Sequence, residues 1–254
     1  MTGGSLAIVG LGPGPAKWLA PEASAALEAA SDIVGYQPYL DRIPQRPGQQ
    51  RHGSDNRVEI RRARDAVAMA ARGGRVAVVS GGDPGVFAMA AAVFEAIEAG
   101  EPAWRALDIT VVPGISAMQA AAARLGAPLG HDFCAISLSD NLKPWDIVQR
   151  RLRAAAEADF VIALFNPASK ARPETIHLAF KLLRGCKAAT TPVAFARAIG
   201  REDERIVLIT LGDAEPSIAD MSTLVLIGSS ETRFIERPGG PPWLLTPRTY
   251  GAGR

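Results

Sequence analysis

Short apolar runs alternate along the chain with Ala-rich stretches whose apolar positions recur every three or four residues. The runs Leu6–Val9, Ile33–Gly35, Val76–Ser80, Ile109–Val112, Ala135–Leu138, Phe160–Phe165, Val193–Ala196, Ile206–Thr210 and Leu224–Ile227 predict strands. Near-continuous aliphatic sequence of this length suits strands covered on both faces. Between them, Ile60, Ala63, Val67 and Ala70 share one helical face, as do Val148, Leu152 and Ala155, and Ile176, Ala179, Phe180 and Leu183. Pro21 and Pro173 suit first helical turns, where a missing N–H removes no hydrogen bond. Alternation of strand and helix builds βα units with mainly parallel sheets. One sheet holding every predicted strand would be unusually wide, and a break within 118–128 divides them into two groups. The expected fold is therefore α/β: one α/β domain over 1–117, a second over 118–236, and an irregular tail over 237–254 rich in Pro and Gly. Ile206–Thr210 and Leu224–Ile227 leave no room for a long helix between them, so antiparallel pairing is expected there.

Glycine-rich turns sit where three of the predicted strands end. Ala7-Ile8-Val9 runs into Gly10-Leu11-Gly12-Pro13-Gly14-Pro15, Val76–Val79 into Ser80-Gly81-Gly82-Asp83-Pro84-Gly85, and Val111-Val112 into Pro113-Gly114-Ile115-Ser116. Glycine costs backbone entropy and contributes no burial, so its concentration there means a sharp bend or a close approach. Parallel strands all finish on one side of their sheet, so the three turns open onto one edge, where ligands of α/β proteins bind. The first turn departs from the dinucleotide fingerprint: Pro15 stands at the third glycine position, and Asp32 precedes its strand instead of closing it. A Walker loop is excluded, since no Gly-Lys-Ser/Thr follows. In the second turn Asp83 suits an N-cap with Pro84 in the first helical turn, and it is also placed to take a ribose hydroxyl or an ammonium.

Composition narrows the class further. The chain has 254 residues, 48% of them hydrophobic, and a net charge of +2, too small for a general nucleic-acid footprint. Every apolar run falls short of the roughly 20 residues that cross a bilayer, and the amino terminus lacks a basic-then-apolar leader; a cytoplasmic protein is expected. The only cysteines, Cys134 and Cys186, are far apart and offer neither a disulfide framework nor metal-ligand spacing. Both read as buried and inert, and no metal site is expected. Arginines crowd one segment: Arg61, Arg62 and Arg64 read as a solvated helix face, whereas Arg42, Arg46, Arg51 and Arg57 fall on a predicted loop where a polyanionic ligand is as reasonable as plain solvation.

Taken together, Gly10-Leu11-Gly12-Pro13-Gly14, Gly81-Gly82-Asp83-Pro84-Gly85 and Val112-Pro113-Gly114-Ile115-Ser116 resemble the tetrapyrrole methylases, a family of S-adenosylmethionine-dependent enzymes with two α/β domains and the cofactor in the cleft between them. Further segments resemble the branch that methylates precorrin-3B at C17 and contracts the ring to precorrin-4: Gly35-Tyr36-Gln37-Pro38-Tyr39-Leu40, Ser54-Asp55-Asn56-Arg57, Ala127-Pro128-Leu129-Gly130-His131-Asp132-Phe133, Ser137-Leu138-Ser139-Asp140 and Phe165-Asn166-Pro167-Ala168-Ser169. The resemblance implies S-adenosylmethionine as cofactor, held by Gly82, Asp83, Val86, Ser116 and Ala117, with Phe165, Asn166, Ala198, Thr223 and Leu224 contributed by the second domain. It also implies a small-molecule precorrin substrate, no nucleic-acid or membrane partner, and a homodimer.

Methyl transfer from a sulfonium needs positioning rather than a protein nucleophile, and no Ser or Cys in a strained elbow with a paired His is evident. Ring contraction, if it occurs, calls for proton transfers. His131, Asp132 and Asp140 are the candidates, each with a simpler role as a loop or capping residue. Precorrins carry acetate and propionate groups, which gives Arg42, Arg51 and Arg57, together with Pro13 of the first turn, a use in holding substrate. Lys143, Lys170 and Arg172 are weaker candidates. Alternatives at this stage are a sister methylase acting at C20 or C11, a nicotinamide-dependent oxidoreductase built on the Gly10 turn, and a noncatalytic tetrapyrrole carrier.

Overall fold

Alternation along the first strands explains what they bury. In Leu6–Val9 and Val76–Val79, successive side chains point to opposite faces of a sheet, and both sets are apolar. The computed structural model, which describes residues 3–55, 58–139, 141, 143–168 and 172–251, divides into two compact units, Met1–Ala117 and Met118–Arg254. The first contains β1 (Ser5–Gly10), α1 (Pro21–Ala29), β2 (Asp32–Tyr36), α2 (Gln37–Leu40), β3 (Gln50–Ser54), α3 (Glu59–Ala71), β4 (Arg75–Ser80), α4 (Met89–Glu98) and β5 (Asp108–Val112). Its sheet has the order β3-β2-β4-β1-β5, and every pairing is parallel. Leu6, Ile8, Val76 and Val78 pack with α3 and α4 on one face. Val9, Ile33, Ala77 and Val79 pack with Ala23 and Leu27 of α1 on the other.

In the second unit α5 (Ala117–Leu125) leads to β6 (Gly126–Ala127), β7 (Phe133–Ser137), α6 (Trp145–Glu157), β8 (Val161–Phe165), α7 (Thr175–Arg184), β9 (Pro192–Arg197), β10 (Arg205–Thr210), β11 (Thr223–Ile227), β12 (Arg233–Ile235) and β13 (Trp243–Leu245). The main sheet runs β10-β9-β11-β8-β7. Only β7 and β8 pair in parallel; β11 pairs antiparallel with both β8 and β9, and β10 pairs antiparallel with β9. The antiparallel pairing expected near the end of the chain is therefore present, but β10 and β11 flank β9 instead of meeting each other. Phe180 of α7 stacks on Phe195 of β9 at 5.7 Å between ring centroids, inside a core shared by α6 and α7.

Several local expectations are corrected. The stretch expected as a loop over 42–57 contains β3, whose sequence Gln50-Arg51-His52-Gly53-Ser54 has no apolar run. It is an edge strand stabilised by its ladder with β2 and by polar pairs such as His52 Nε2 to Asp32 Oδ1 at 2.8 Å, which hydrophobic periodicity does not register. The expected irregular tail contains β13, whose Leu244 is buried and which pairs with both β12 and β6. Thr246 continues the attachment by donating its hydroxyl to Pro128 O and its N–H to Ala127 O, and Tyr250 bonds the Asp159 carboxylate. α4 begins at Met89, well after Asp83, because Ser80 Oγ accepts the Met89 N–H in place of a cap from Asp83. Pro173 likewise precedes α7, which starts at Thr175. Arg62 is buried, not solvated, and both cysteines are half-buried. Burial raises the Cys134 thiol pKa, against a smaller opposing influence of Lys187, as for an unreactive thiol.

Candidate active site

All five strands of the first sheet run the same way, so Gly10, Tyr36, Ser54, Ser80 and Val112 close them on one edge. The three glycine turns meet there. Gly12 and Gly82 form a bridge in which each N–H donates to the other's carbonyl, at 3.1 and 3.0 Å, and Leu11 N donates to Ser80 O at 2.9 Å. A Cβ on Gly10 would stand 2.7 Å from Gly114 N and 2.8 Å from Gly82 O. The glycines thus make room first for one another, so that three main chains pack without side chains between them. Gly81 clears the ring of Tyr39 in the same way.

Asp83 joins two of these turns. Its Oδ1 accepts Gly85 N at 2.8 Å and its Oδ2 accepts Gly114 N at 3.0 Å, so the loop after β4 and the loop after β5 share one carboxylate. A carboxylate has about four acceptor positions, which leaves capacity for a ligand hydroxyl. Gly82 has φ +74°, and a Cβ there would lie 3.9 Å from Ile115 O and Ser116 Cα, a methyl-sized space bordered by main chain. Exposed Phe87 (51%) and Ile115 (37%) supply apolar surface beside these polar groups. Phe87 has φ 53°, a left-handed conformation unusual for a bulky residue and frequent where structure serves a ligand. Gly82, Asp83, Val86, Ser116 and Ala117, which sequence reasoning assigned together, all belong to these two turns and the start of α5.

Arg42 and Arg51 are engaged otherwise than expected. Arg42 Nη2 lies within 3.0 Å of the carbonyls of Leu11, Gly12 and Gly14, holding the turn that contains Pro13. Arg51 donates to Leu40 O and Ile43 O at 3.1 and 2.6 Å, at and just past the end of α2. The geometry gives both a scaffold role in place of a carboxylate clamp. Arg57 lies outside the described residues, as do Asp140 and Lys170.

In the second unit the carboxyl ends of β8 and β9 and the amino end of β11 form one edge, because β11 runs against both neighbours. Phe165, Asn166, Ala198, Thr223 and Leu224 are brought together there. Asn166 and Ala198 have φ 51° and 50°, the left-handed region that costs an L-residue roughly 1–2 kcal/mol. Asn166 Nδ2 donates to Ser137 Oγ at 3.0 Å. Ala198 is held by its N–H to Ser222 O at 2.9 Å, next to Arg197, which pairs with Asp203 and Asp220 at 2.7 Å each. Asp220 also accepts the Thr223 hydroxyl and Ser222 N. Sequence reasoning missed this Arg197–Asp203–Asp220 network and the role of Ser137. The pattern Asp220-Met221-Ser222-Thr223 is the kind of side-chain-to-backbone turn that could have announced part of it.

His131 and Asp132 fall elsewhere. They precede β7, whose parallel pairing with β8 puts them at the amino edge, about 17 Å of strand or more from Phe165 and Asn166 at roughly 3.3 Å per residue. His131 Nδ1 accepts Asp132 N at 2.7 Å, and its ring meets Tyr250 edge-on at 4.9 Å. No group of three metal-ligating side chains occurs among the described residues, and no helix among them is long and apolar enough to cross a membrane.

An all-parallel sheet and a mixed sheet, each with an edge of main-chain turns and left-handed residues, define an α/β protein of two units with ligand-type edges. The description of the tetrapyrrole (corrin/porphyrin) methylases matches residues 5–215, and the chain belongs to that family. It is 58% identical over 247 residues to the precorrin-3B C(17)-methyltransferase of Sinorhizobium sp, spanning 97% of each chain. The crystal structure of the methyltransferase CobJ superposes with a TM-score of 0.92 at 51% identity, covering 96% of this chain and 100% of that one. A uroporphyrin-III C-methyl transferase from Thermus thermophilus, solved in complex with S-adenyl homocysteine, shares the fold at TM-score 0.67 and 22% identity, over 89% of this chain and 97% of that one.

Proposed function

We propose that this chain is an S-adenosylmethionine-dependent C-methyltransferase that methylates precorrin-3B at C17 and contracts its ring to precorrin-4. The observation that carries the reading is the 58% identity to a precorrin-3B C(17)-methyltransferase across 97% of both chains. The donor set of the first unit suits the cofactor: a methyl-sized space at Gly82 bordered by main chain, a carboxylate at Asp83, and exposed apolar surface at Phe87 and Ile115. When bound, S-adenosylmethionine supplies a methyl group already activated on a sulfonium sulfur.

The chain's own residues then have to bind, orient and exclude water. Gly82, Asp83, Val86, Ser116 and Ala117 are assigned to the cofactor in the first unit, and Phe165, Asn166, Ala198, Thr223 and Leu224 in the second. The Thr223 hydroxyl is occupied by Asp220, so a contact there falls to its main chain or methyl group. Pro13 presents the substrate side of a turn that Arg42 stiffens. His131 and Asp132, at the opposite edge of their own sheet from Asn166, are not assigned to the contraction chemistry. A homodimer in the cytoplasm is part of the same reading.

Incubating the protein with precorrin-3B and methyl-labelled cofactor tests it. Label at C17 in a contracted product is expected. Label at C20 or C11 would assign a sister reaction, and no labelled tetrapyrrole from folded protein would overturn the proposal.

A further inference from the structure

Arg62 lies in the first turn of α3 with 4% of its surface exposed. Its Nε donates to Ser54 Oγ at 2.8 Å, its Nη2 to Asp55 O at 2.5 Å, and its Nη1 to Met89 Sδ at 3.5 Å. All three acceptors are neutral, and none of the ion pairs found among the described residues includes Arg62. Burial lowers its pKa, with Glu59, Tyr39 and Asp55 acting in the opposite sense; a guanidinium nevertheless stays charged at physiological pH.

The hydrogen bonds of Arg62 join strand ends, a task that does not by itself require a charge. A buried charge without an ion-pair partner is costly, and a cation in a first turn faces the positive end of the helix dipole. Departures from such rules concentrate where function requires them. The location is also specific: Ser54 closes β3 on the edge that Gly10, Ser80 and Val112 share. Met89 opens α4 and bonds Ser80 Oγ through its N–H, so Arg62 ties together the ends of β3 and β4.

We infer that Arg62 is a positioning and specificity residue for a polycarboxylate substrate. It fixes Ser54 and the Asp55 carbonyl at the strand edge and lends that edge a positive charge that is held in no ion pair among the described residues and only offset at longer range by Glu59 and Asp55. The inference rests on the proposed precorrin substrate, whose acetate and propionate groups are the carboxylates to be recognised. Of the arginines that the sequence suggested for this purpose, Arg42 and Arg51 donate to carbonyls and Arg57 lies outside the described residues; Arg62, which the sequence assigned to solvent, is the buried arginine at this edge.

The test is steady-state kinetics with precorrin-3B, alongside S-adenosylhomocysteine binding by calorimetry, for Arg62→Met, Arg62→Lys, Ser54→Ala and the exposed control Arg61→Met. Arg62→Met should raise KM for precorrin-3B about tenfold and flatten its dependence on salt. The Kd for S-adenosylhomocysteine should stay within about twofold, Arg62→Lys should recover part of the loss, and Arg61→Met should match wild type. Unchanged KM, or KM and Kd rising in parallel, would overturn the inference. If the Arg62 variants fail to fold, Ser54→Ala decides it: a selective rise in KM supports, and a wild-type KM refutes. Wild-type protein inactive on precorrin-3B would instead strike the proposed function.

Discussion

The two units reach a similar end by different physical means. In the first, every strand points the same way, so strand ends converge without further help and the turns are free to pack main chain on main chain, as at Gly10, Gly82 and Gly114. In the five-stranded sheet of the second, only β7 and β8 pair in parallel, and the edge is assembled from the ends of β8 and β9 and the start of β11. There, left-handed Asn166 and Ala198 bend the chain, the first held by Ser137 Oγ and the second flanked by the ion pairs of Arg197. A parallel sheet supplies an edge through topology and needs glycine to use it; a mixed sheet needs ion pairs and backbone strain.

The largest effect that would break this contrast is expected at Gly114. A Cβ there would collide with Gly82 O and crowd Gly10 C and Cα at 3.0 Å, all of them backbone atoms. Gly114→Ala should therefore cost about 2–3 kcal/mol and weaken S-adenosylhomocysteine binding, with urea unfolding and calorimetry as the measurements. A neutral result would mean that the turns are looser than their packing indicates.

An intermediate effect concerns acid. Asp159 is opposed by burial, yet hydrogen bonds from Ser230, Tyr250 and Lys187 outweigh that and hold its carboxyl below the ordinary value; Asp220 is likewise opposed by burial and held low by Arg197, Thr223 and Ser222 N. A carboxyl whose native pKa is depressed contributes stability that is present above its unfolded value, about 3.9, and is lost as pH falls through the native one. Hydrogen exchange followed by mass spectrometry should show the second unit loosening below about pH 4, and Asp159→Asn should weaken it at neutral pH and flatten that acid limb. An acid response identical in the variant would remove Asp159 as a staple.

The smallest effect should have the opposite sign from the first. Ala198→Gly relieves a left-handed alanine at some cost in chain entropy, so stability should change by less than about 1 kcal/mol, upward if strain dominates. Cofactor affinity should fall if the strained backbone is what shapes that edge. Unchanged affinity would detach Ala198 from the cofactor.

Legibility in the sequence followed the same division. The strands of the first unit stand out because burial on both faces makes them continuously apolar, and its turns stand out because close main-chain packing tolerates only glycine. Edge strand β3 was invisible: its support is a ladder and polar pairs, which leave no periodic trace. The tail strand β13 was masked by Pro241 and Pro242 beside Trp243. Arginines were the hardest to read. Arg42, Arg51 and Arg62 are alike in sequence, and their roles are set by which carbonyl or hydroxyl each meets across 7 to 31 residues of chain.

By itself, then, the sequence determined the α/β class, the strand positions buried on both faces, and the turns that a ligand edge requires, since periodicity and glycine placement are local consequences of burial and backbone sterics. Only the tertiary structure decided which turns touch, which arginines are occupied, that His131 and Asn166 lie at opposite ends of neighbouring strands, and that Ala198 is bent beside the Arg197 ion pairs. Those outcomes depend on contacts between residues far apart in the chain, and strand order and direction, which no local pattern encodes, create them.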